Sequence, residues 1–102
     1  MLLKTVKFNS KNPNWVNDQN HNHMFLFVQE RYINDIIRLR GYIYLNQICE
    51  LLGVKWNPND ENPCIKNDGV NRVRFIEFEI FNQPKNSVLV HILSYNTEKI
   101  ES

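Results

Sequence analysis

The sequence has almost no excess of charge of either sign. Its 102 residues include 12 Lys and Arg against 11 Asp and Glu, which leaves a formal net charge of +1. A small domain that holds a phosphate backbone usually shows a clear basic excess or a basic stripe. The composition therefore gives no sign of binding to nucleic acid or to an anionic membrane surface.

Cysteines and long apolar runs are also scarce. Cys49 and Cys64 are the only cysteines, too few for a disulfide framework, and Cys49 is expected to be a reduced core residue. No apolar run is long enough to cross a bilayer, and the opening residues 1–8 are too short and too polar for a signal peptide. These absences predict a cytoplasmic protein without a membrane partner.

The motifs that mark common active sites are missing as well. The chain contains no phosphate-binding loop, no nucleophile elbow and no dinucleotide fingerprint. His21 and His23 form an H-x-H pair that can place two imidazoles on one side of an extended segment, but a metal site needs further ligands. We therefore expect no metal, no cofactor and no catalytic residue. A small metal-dependent or acid–base enzyme that uses His21, His23 and His91 is kept as an alternative.

The strongest pattern that is present covers residues 24–40, where apolar side chains recur at steps of three and four. The recurring residues are Phe25, Val28, Tyr32, Ile36 and Leu39, and the stripe is widened by Leu26, Ile33 and Ile37. The other side is assigned to Gln29, Glu30, Arg31, Asn34, Asp35 and Arg38. This period predicts a long amphipathic helix with an N-cap at Asn22 and a closing glycine at Gly41.

A shorter helix is predicted at residues 46–53, with Asn46 as its N-cap and Gly53 at its end. Together with its glycine turn it is similar to the first half of a helix-turn-helix, which keeps a DNA-binding accessory protein as an alternative. A recognition helix should follow the turn, but the next segment is polar, acidic and interrupted by Pro58. The DNA-binding alternative is therefore ranked second.

Two alternating segments, residues 72–81 and 87–95, predict a β-hairpin with residues 82–86 as its loop. Placing Phe81 opposite Ser87 gives one apolar face and one mixed face. That register sets Glu77 opposite His91. A carboxylate beside an imidazole can orient it for acid–base chemistry, but a simple cross-strand polar pair is the favoured interpretation.

The whole chain, residues 1–102, is predicted to be a single α+β domain. One long and one short helix pack on a small antiparallel sheet that contains the C-terminal hairpin. Residues 3–8 are either an edge strand or a frayed terminus, and residues 57–71 are expected to form a long exposed loop. The two ends, residues 1–22 and 96–102, are expected to be loosely held.

The segment RGYIYLNQICELLGV at residues 40–54, between a helix and a loop that leads to a hairpin, supports a resemblance. It resembles small domains of unknown function in phages and conjugative elements of Gram-positive bacteria. Those domains run from a helix through an R/Q-G-Y/F-V-x-L-N segment into a short helix that ends in L-G. The likeness extends over residues 24–95. It implies an accessory protein of a mobile element and transfers no catalytic residue.

The lack of a convergent polar site favours a non-enzymatic module that contacts another protein or a second copy of itself. Its candidate contact residues are the aromatic side chains of Tyr42, Tyr44 and Trp56. The edge of the hairpin is a further candidate surface, because an unpaired strand edge can accept a strand from another chain.

Overall fold

A computed structural model describes residues 1–70, 73–84 and 87–95. The elements are β1 (Leu2–Phe8), α1 (Gln19–Arg40), β2 (Tyr42–Tyr44), α2 (Leu45–Leu52), β3 (Cys64–Lys66), β4 (Ile76–Gln83) and β5 (Ser87–Ser94). A three-stranded antiparallel sheet has the order β1-β5-β4, and β2 pairs with β3 in a separate two-stranded sheet. The predicted fold class is confirmed, with a long and a short helix packed on an antiparallel sheet that contains a C-terminal hairpin.

The core lies between the helices and one face of the three-stranded sheet. Its buried side chains include Val6 and Phe8 from β1, Ile76 and Phe78 from β4, Val88, Val90 and Ile92 from β5, Leu26, Ile33 and Ile37 from α1, and Ile48 and Leu52 from α2. Burying each side chain of this size contributes about 1.5–3 kcal/mol. The alternating pattern of the hairpin therefore predicted the correct core face.

The register of the hairpin differs from the predicted register by two residues. Gln83, and not Phe81, lies opposite Ser87, so the connection is shorter than expected. Because side chains alternate with a period of two, a shift of two residues returns each one to the same face. The alternation therefore determines the faces, whereas the turn determines the register. Residues 85–86 of the connection lie outside the described residues, as do residues 71–72 and 96–102.

Helix α1 begins earlier than predicted, and its N-cap is Asp18 instead of Asn22. The Asp18 carboxylate accepts hydrogen bonds from the backbone N–H groups of Asn20 (3.0 Å) and His21 (3.4 Å). Asn22 is buried inside the helix, where its amide oxygen accepts from the Val16 N–H and its Nδ2 donates to the Val16 C=O. Asn22 therefore attaches the preceding loop to the helix.

The N-terminal segment and the long loop are more ordered than the sequence predicted. β1 pairs with β5 through a bulge between Leu2 and Lys4, and Asn12 in the following loop is buried. The first residues therefore form a strand, Leu2–Phe8, and not a frayed terminus. Within residues 57–71, β3 pairs with β2 and sets Ile65 opposite Ile43, both of them buried.

Helix α2 begins at Leu45, one residue before the predicted start, with Tyr44 and not Asn46 at the N-cap position. The backbone N–H of Tyr44 donates to Oε1 of Gln47 (3.0 Å). The predicted end at Gly53 is correct, because Gly53 closes the helix in the left-handed conformation with φ 76°. The carbonyl of Leu52 accepts a hydrogen bond from Nδ2 of Asn12 (2.7 Å).

Replacing Gly53 with alanine is expected to lower the free energy of unfolding by about 2–3 kcal/mol. Alanine is strained in the left-handed backbone conformation of Gly53, and its Cβ would weaken the hydrogen bond from Asn12 to the Leu52 carbonyl. A Cβ at Gly53 would lie 2.7 Å from Nδ2 of Asn14 and 2.8 Å from Oδ1 of Asn12. Gly41→Ala is the matched control, because Gly41 closes α1 with φ 98° but its Cβ would meet nothing within 4 Å. Denaturant unfolding measures both variants, and equal losses would contradict the role given to Asn12 and Asn14.

Candidate functional site

Helix α1 runs beside the outer edge of β4 and binds its backbone with polar side chains. The Phe78 N–H donates to the Glu30 carboxylate (2.8 Å). Oδ1 of Asn34 accepts from the N–H groups of Phe75 (2.6 Å) and Ile76 (3.0 Å), and Nδ2 of Asn34 donates to the Ile76 C=O (3.1 Å). These side chains satisfy backbone groups that another β-strand would otherwise bind.

The contact continues along the helix in both directions. Nη2 of Arg38 donates to the Val73 C=O (2.9 Å), and Nε2 of His23 lies 3.1 Å from Oδ1 of Asn82. One turn of a helix advances about 5.4 Å along its axis, and two residues of a strand advance about 6.6 Å. Because these two distances are similar, side chains four apart on a helix lie opposite alternate residues of a strand. Helix α1 thus takes the place of a fourth strand.

The positions of Glu30 and Asn34 correct the sequence-based assignment of helix faces. Both were assigned to the polar side, but they are only 6% and 5% exposed. Buried polar groups are stable when they are hydrogen-bonded, and here the strand backbone provides the partners. One feature of the sequence could have indicated this burial. Glu30 and Asn34 are polar residues four apart on a helix that has too many apolar residues for a single buried stripe.

The edge of the hairpin is therefore covered along its first part and is not open over its whole length. β5 lies between β1 and β4, and helix α1 binds the β4 side from Val73 to Phe78. The opposite edge of the sheet, β1, carries a bulge and the exposed Lys7. Bulges, edge lysines and covering helices all discourage the addition of a strand from another chain. The geometry gives no support to self-association through the hairpin edge.

The outward side of α1 is apolar and exposed. The side chains of Met24, Phe27, Val28, Tyr32 and Leu39 are 61%, 50%, 49%, 52% and 86% exposed. We call these five residues, together with Arg31 and Asp35 between them, the α1 outer face. The prediction that Val28, Tyr32 and Leu39 belong to the buried stripe is wrong, because the stripe that meets the sheet is formed by Leu26, Ile33 and Ile37.

The charged residues of the α1 outer face lie one turn apart. Arg31 and Asp35 are both exposed, and Oδ1 of Asp35 accepts a hydrogen bond from Nη1 of Arg38 (2.6 Å). Beside them a groove of about 350 Å³ separates α1 from the segment that leads into β4, with Phe27 and Val73 among its lining residues. The α1 outer face therefore combines apolar side chains, charges of both signs and a recess.

The aromatic residues singled out in the sequence occupy two environments. Tyr42 and Tyr44 are both exposed on β2, with ring centroids 5.9 Å apart, and the Arg40 guanidinium lies 4.7 Å from the Tyr42 ring centroid. Trp56 is partly buried against the core, with Nζ of Lys4 5.3 Å from its ring centroid. Tyr42 and Tyr44 thus form a small aromatic surface, whereas much of Trp56 is used in packing.

The predicted pair of Glu77 and His91 is not formed. The shifted register sets Glu79 opposite His91, with Nδ1 of His91 3.8 Å from Oε1 of Glu79 and the His91 ring against Phe81. Glu77 binds Nη1 of Arg74 (3.1 Å) and accepts a hydrogen bond from the Tyr95 hydroxyl, which raises the pKa of Tyr95. The contacts of Glu79 and Glu77 are therefore cross-strand and local polar pairs on the solvent-exposed face of the sheet.

The histidines do not converge on a metal site. His21 and His23 lie on helix α1, where residues two apart point about 200° from each other, and not on the extended segment that was expected. Among residues 1–70, 73–84 and 87–95, no three His, Cys, Asp or Glu side chains are placed to hold a metal ion together. The described residues therefore do not contain the cluster of ligands that a metal-dependent enzyme would need.

Helix α2 does not have the surroundings of a helix-turn-helix. Its Leu45, Ile48, Cys49 and Leu52 are buried, and the next element after its closing Gly53 is strand β3. The second helix that would enter the DNA groove does not follow α2, so the DNA-binding alternative also lacks structural support.

Both cysteines are free thiols, and burial raises the pKa of the Cys49 thiol.

No helix in the described ranges combines the length and the apolar composition that a membrane span requires. Comparison of the chain with protein-family models, with curated proteins and with solved structures found no match. Within the part of the chain that the structure describes, the α1 outer face has more exposed large apolar side chains than any other element.

Proposed function

We propose that this chain is a non-enzymatic interaction module that binds a protein partner through the α1 outer face. The observation that carries the proposal is the exposure of five large apolar side chains on one side of a single helix. Scattered exposed apolar residues are ordinary, whereas a contiguous apolar patch with polar neighbours is typical of a protein-binding surface. The resemblance to domains of phages and conjugative elements supports a role as an accessory protein of a mobile element, working in the cytoplasm.

The proposal is supported by the rigid attachment of α1 to the rest of the domain. Its inner side is fixed by the buried residues Leu26, Ile33 and Ile37 and by the hydrogen bonds of Glu30 and Asn34 to β4. A rigid helix loses little conformational freedom when a partner binds it, so more of the contact energy becomes affinity. An amphipathic helix of this kind can also enter a groove of another protein, with anchors spaced three and four residues apart.

Site-specific photo-cross-linking tests the proposal. A benzophenone amino acid replaces Tyr32 on the α1 outer face, and in separate variants it replaces Tyr42 on β2 or Tyr95 after β5. All three tyrosines are exposed, so each substitution leaves the core intact. In cells, the Tyr32 position is expected to form a discrete protein adduct that mass spectrometry identifies, and the additional change Leu39→Glu is expected to abolish it.

The two other positions make the result interpretable. An adduct at Tyr42 alone would move the interaction to the aromatic surface of Tyr42 and Tyr44, which the exposed ring pair favours as a second candidate. Equal labelling at Tyr32 and Tyr95, or no discrete adduct at Tyr32, would contradict binding through the α1 outer face. Circular dichroism of each purified variant confirms that the fold is retained.

A further inference from the structure

We infer that the partner of the α1 outer face is a second copy of this chain, with the two α1 helices packed antiparallel about a two-fold axis that crosses between them at the level of residue 33. This inference rests on the proposed function and names its partner. In a two-fold interface the same patch is used by both copies, so the patch must be complementary to itself. The arrangement of charged and apolar residues on α1 meets this requirement.

The charges are complementary only in the antiparallel arrangement. With the axis at residue 33, a residue two positions before the axis faces the residue two positions after it in the other copy. Arg31 of each copy then faces Asp35 of the other, which gives two attractive pairs. A parallel arrangement would set Arg31 against Arg31 and Asp35 against Asp35, and such like-charge contacts are unfavourable.

One pair of apolar residues also matches under the same symmetry. Six positions from the axis, Phe27 of one copy faces Leu39 of the other. The groove beside α1 is lined by Phe27 and Val73 and otherwise by polar or charged residues, so the incoming Leu39 side chain, which is 86% exposed in the single chain, can contact Phe27 and Val73 there. The most exposed apolar residue of the helix thereby gains contact with two apolar side chains of the other copy.

The available area is of the size found in weak, reversible dimers. An aromatic side chain buries about 150–250 Å² when it is fully covered, so five large side chains that are roughly half exposed offer on the order of 500 Å² per copy. Two copies would bury on the order of 1,000 Å² before any charged side chain is counted, and this reaches the lower range of specific interfaces. The net charge of +1 adds little repulsion between the copies.

Charge reversal on the full chain tests the inference. Sedimentation velocity of the wild-type protein over a range of concentrations is expected to show a monomer–dimer equilibrium. Arg31→Glu and Asp35→Arg each replace two attractive pairs with two repulsive ones, so each variant alone is expected to weaken dimerisation at least tenfold. A 1:1 mixture of the two variants is expected to form a heterodimer, and the double variant Arg31→Glu/Asp35→Arg is expected to regain the homodimer.

Lys7→Glu is the control, because it reverses a charge at an exposed position of β1, at the edge of the sheet opposite to the one that α1 binds. It is expected to leave the dimerisation constant close to the wild-type value. A wild-type chain that stays monomeric at all concentrations would overturn the inference, while a cross-link from Tyr32 to a different protein would still support the proposed function. A dimer that neither charge reversal weakens would also overturn it, because another surface would then form the contact.

Discussion

Asn34→Ala is expected to lower the free energy of unfolding by about 3–5 kcal/mol, because it leaves several buried backbone groups without partners. The side chain of Asn34 accepts from two N–H groups and donates to two C=O groups, those of Glu30 and Ile76. A domain of this size has about 5–15 kcal/mol of total stability, so the loss is a large fraction of it. Denaturant unfolding followed by circular dichroism measures the change.

Asn20→Ala provides the matched control, since it makes the same chemical change at an exposed position in the first turn of the same helix. Its effect is expected to stay within about 0.5 kcal/mol, as for most exposed substitutions. Hydrogen exchange adds a local readout. In the Asn34 variant the amides of Phe75 and Ile76 are expected to exchange faster than the remaining amides of β4. If Asn34→Ala were as mild as Asn20→Ala, the helix would not be acting as a substitute for a strand.

Sequence patterns predicted the elements of this fold better than their contacts. The two helices, their closing glycines Gly41 and Gly53 and the hairpin were all predicted. The cause is local: a glycine at a helix end and an alternating run express backbone preferences of neighbouring residues. The caps at Asp18 and Tyr44 were missed because several nearby residues could serve, and the choice depended on how the preceding segment packs.

The contacts between β4 and its neighbours depended on information that a local pattern does not contain. The hairpin faces were correct and the register was wrong by two residues, so His91 meets Glu79 and not Glu77. On the other side of β4, Glu30 and Asn34 are buried because a strand edge 40 to 50 residues later in the chain needs partners. Hydrophobicity alone assigns such residues to the solvent side.

The α1 outer face was missed for a related reason. Helix α1 has more apolar residues than one buried side can hold, and the amphipathic period merges two sets of them into one wide stripe. Because the buried side also accommodates Glu30 and Asn34, it has no room for Val28, Tyr32 and Leu39, which remain exposed. A helix with an over-wide apolar stripe is therefore a signal for either a fully buried helix or a second, intermolecular contact.

Ile33→Ala is expected to destabilise the chain by about 2–5 kcal/mol, whereas Tyr32→Ala, at the adjacent position, is expected to cost about 0.5 kcal/mol or less. Ile33 is fully buried against the sheet, so truncating it removes packed atoms and leaves a cavity. Tyr32 is 52% exposed on the α1 outer face, so its truncation removes few contacts within the chain. The two substitutions therefore separate the buried side of α1 from its outward side.

The comparison uses denaturant unfolding at low micromolar protein concentration, so that any association between copies contributes little to the measured stability. The amphipathic period alone assigns Tyr32 to the centre of the buried stripe and predicts losses of similar size for both variants. A large loss of unfolding free energy in Tyr32→Ala would show that the Tyr32 side chain packs within the single chain. The α1 outer face would then not be available as an interface. A large loss at Ile33 alone would leave Tyr32 available for a partner, and its effect should then appear in the dimerisation constant and not in the free energy of unfolding.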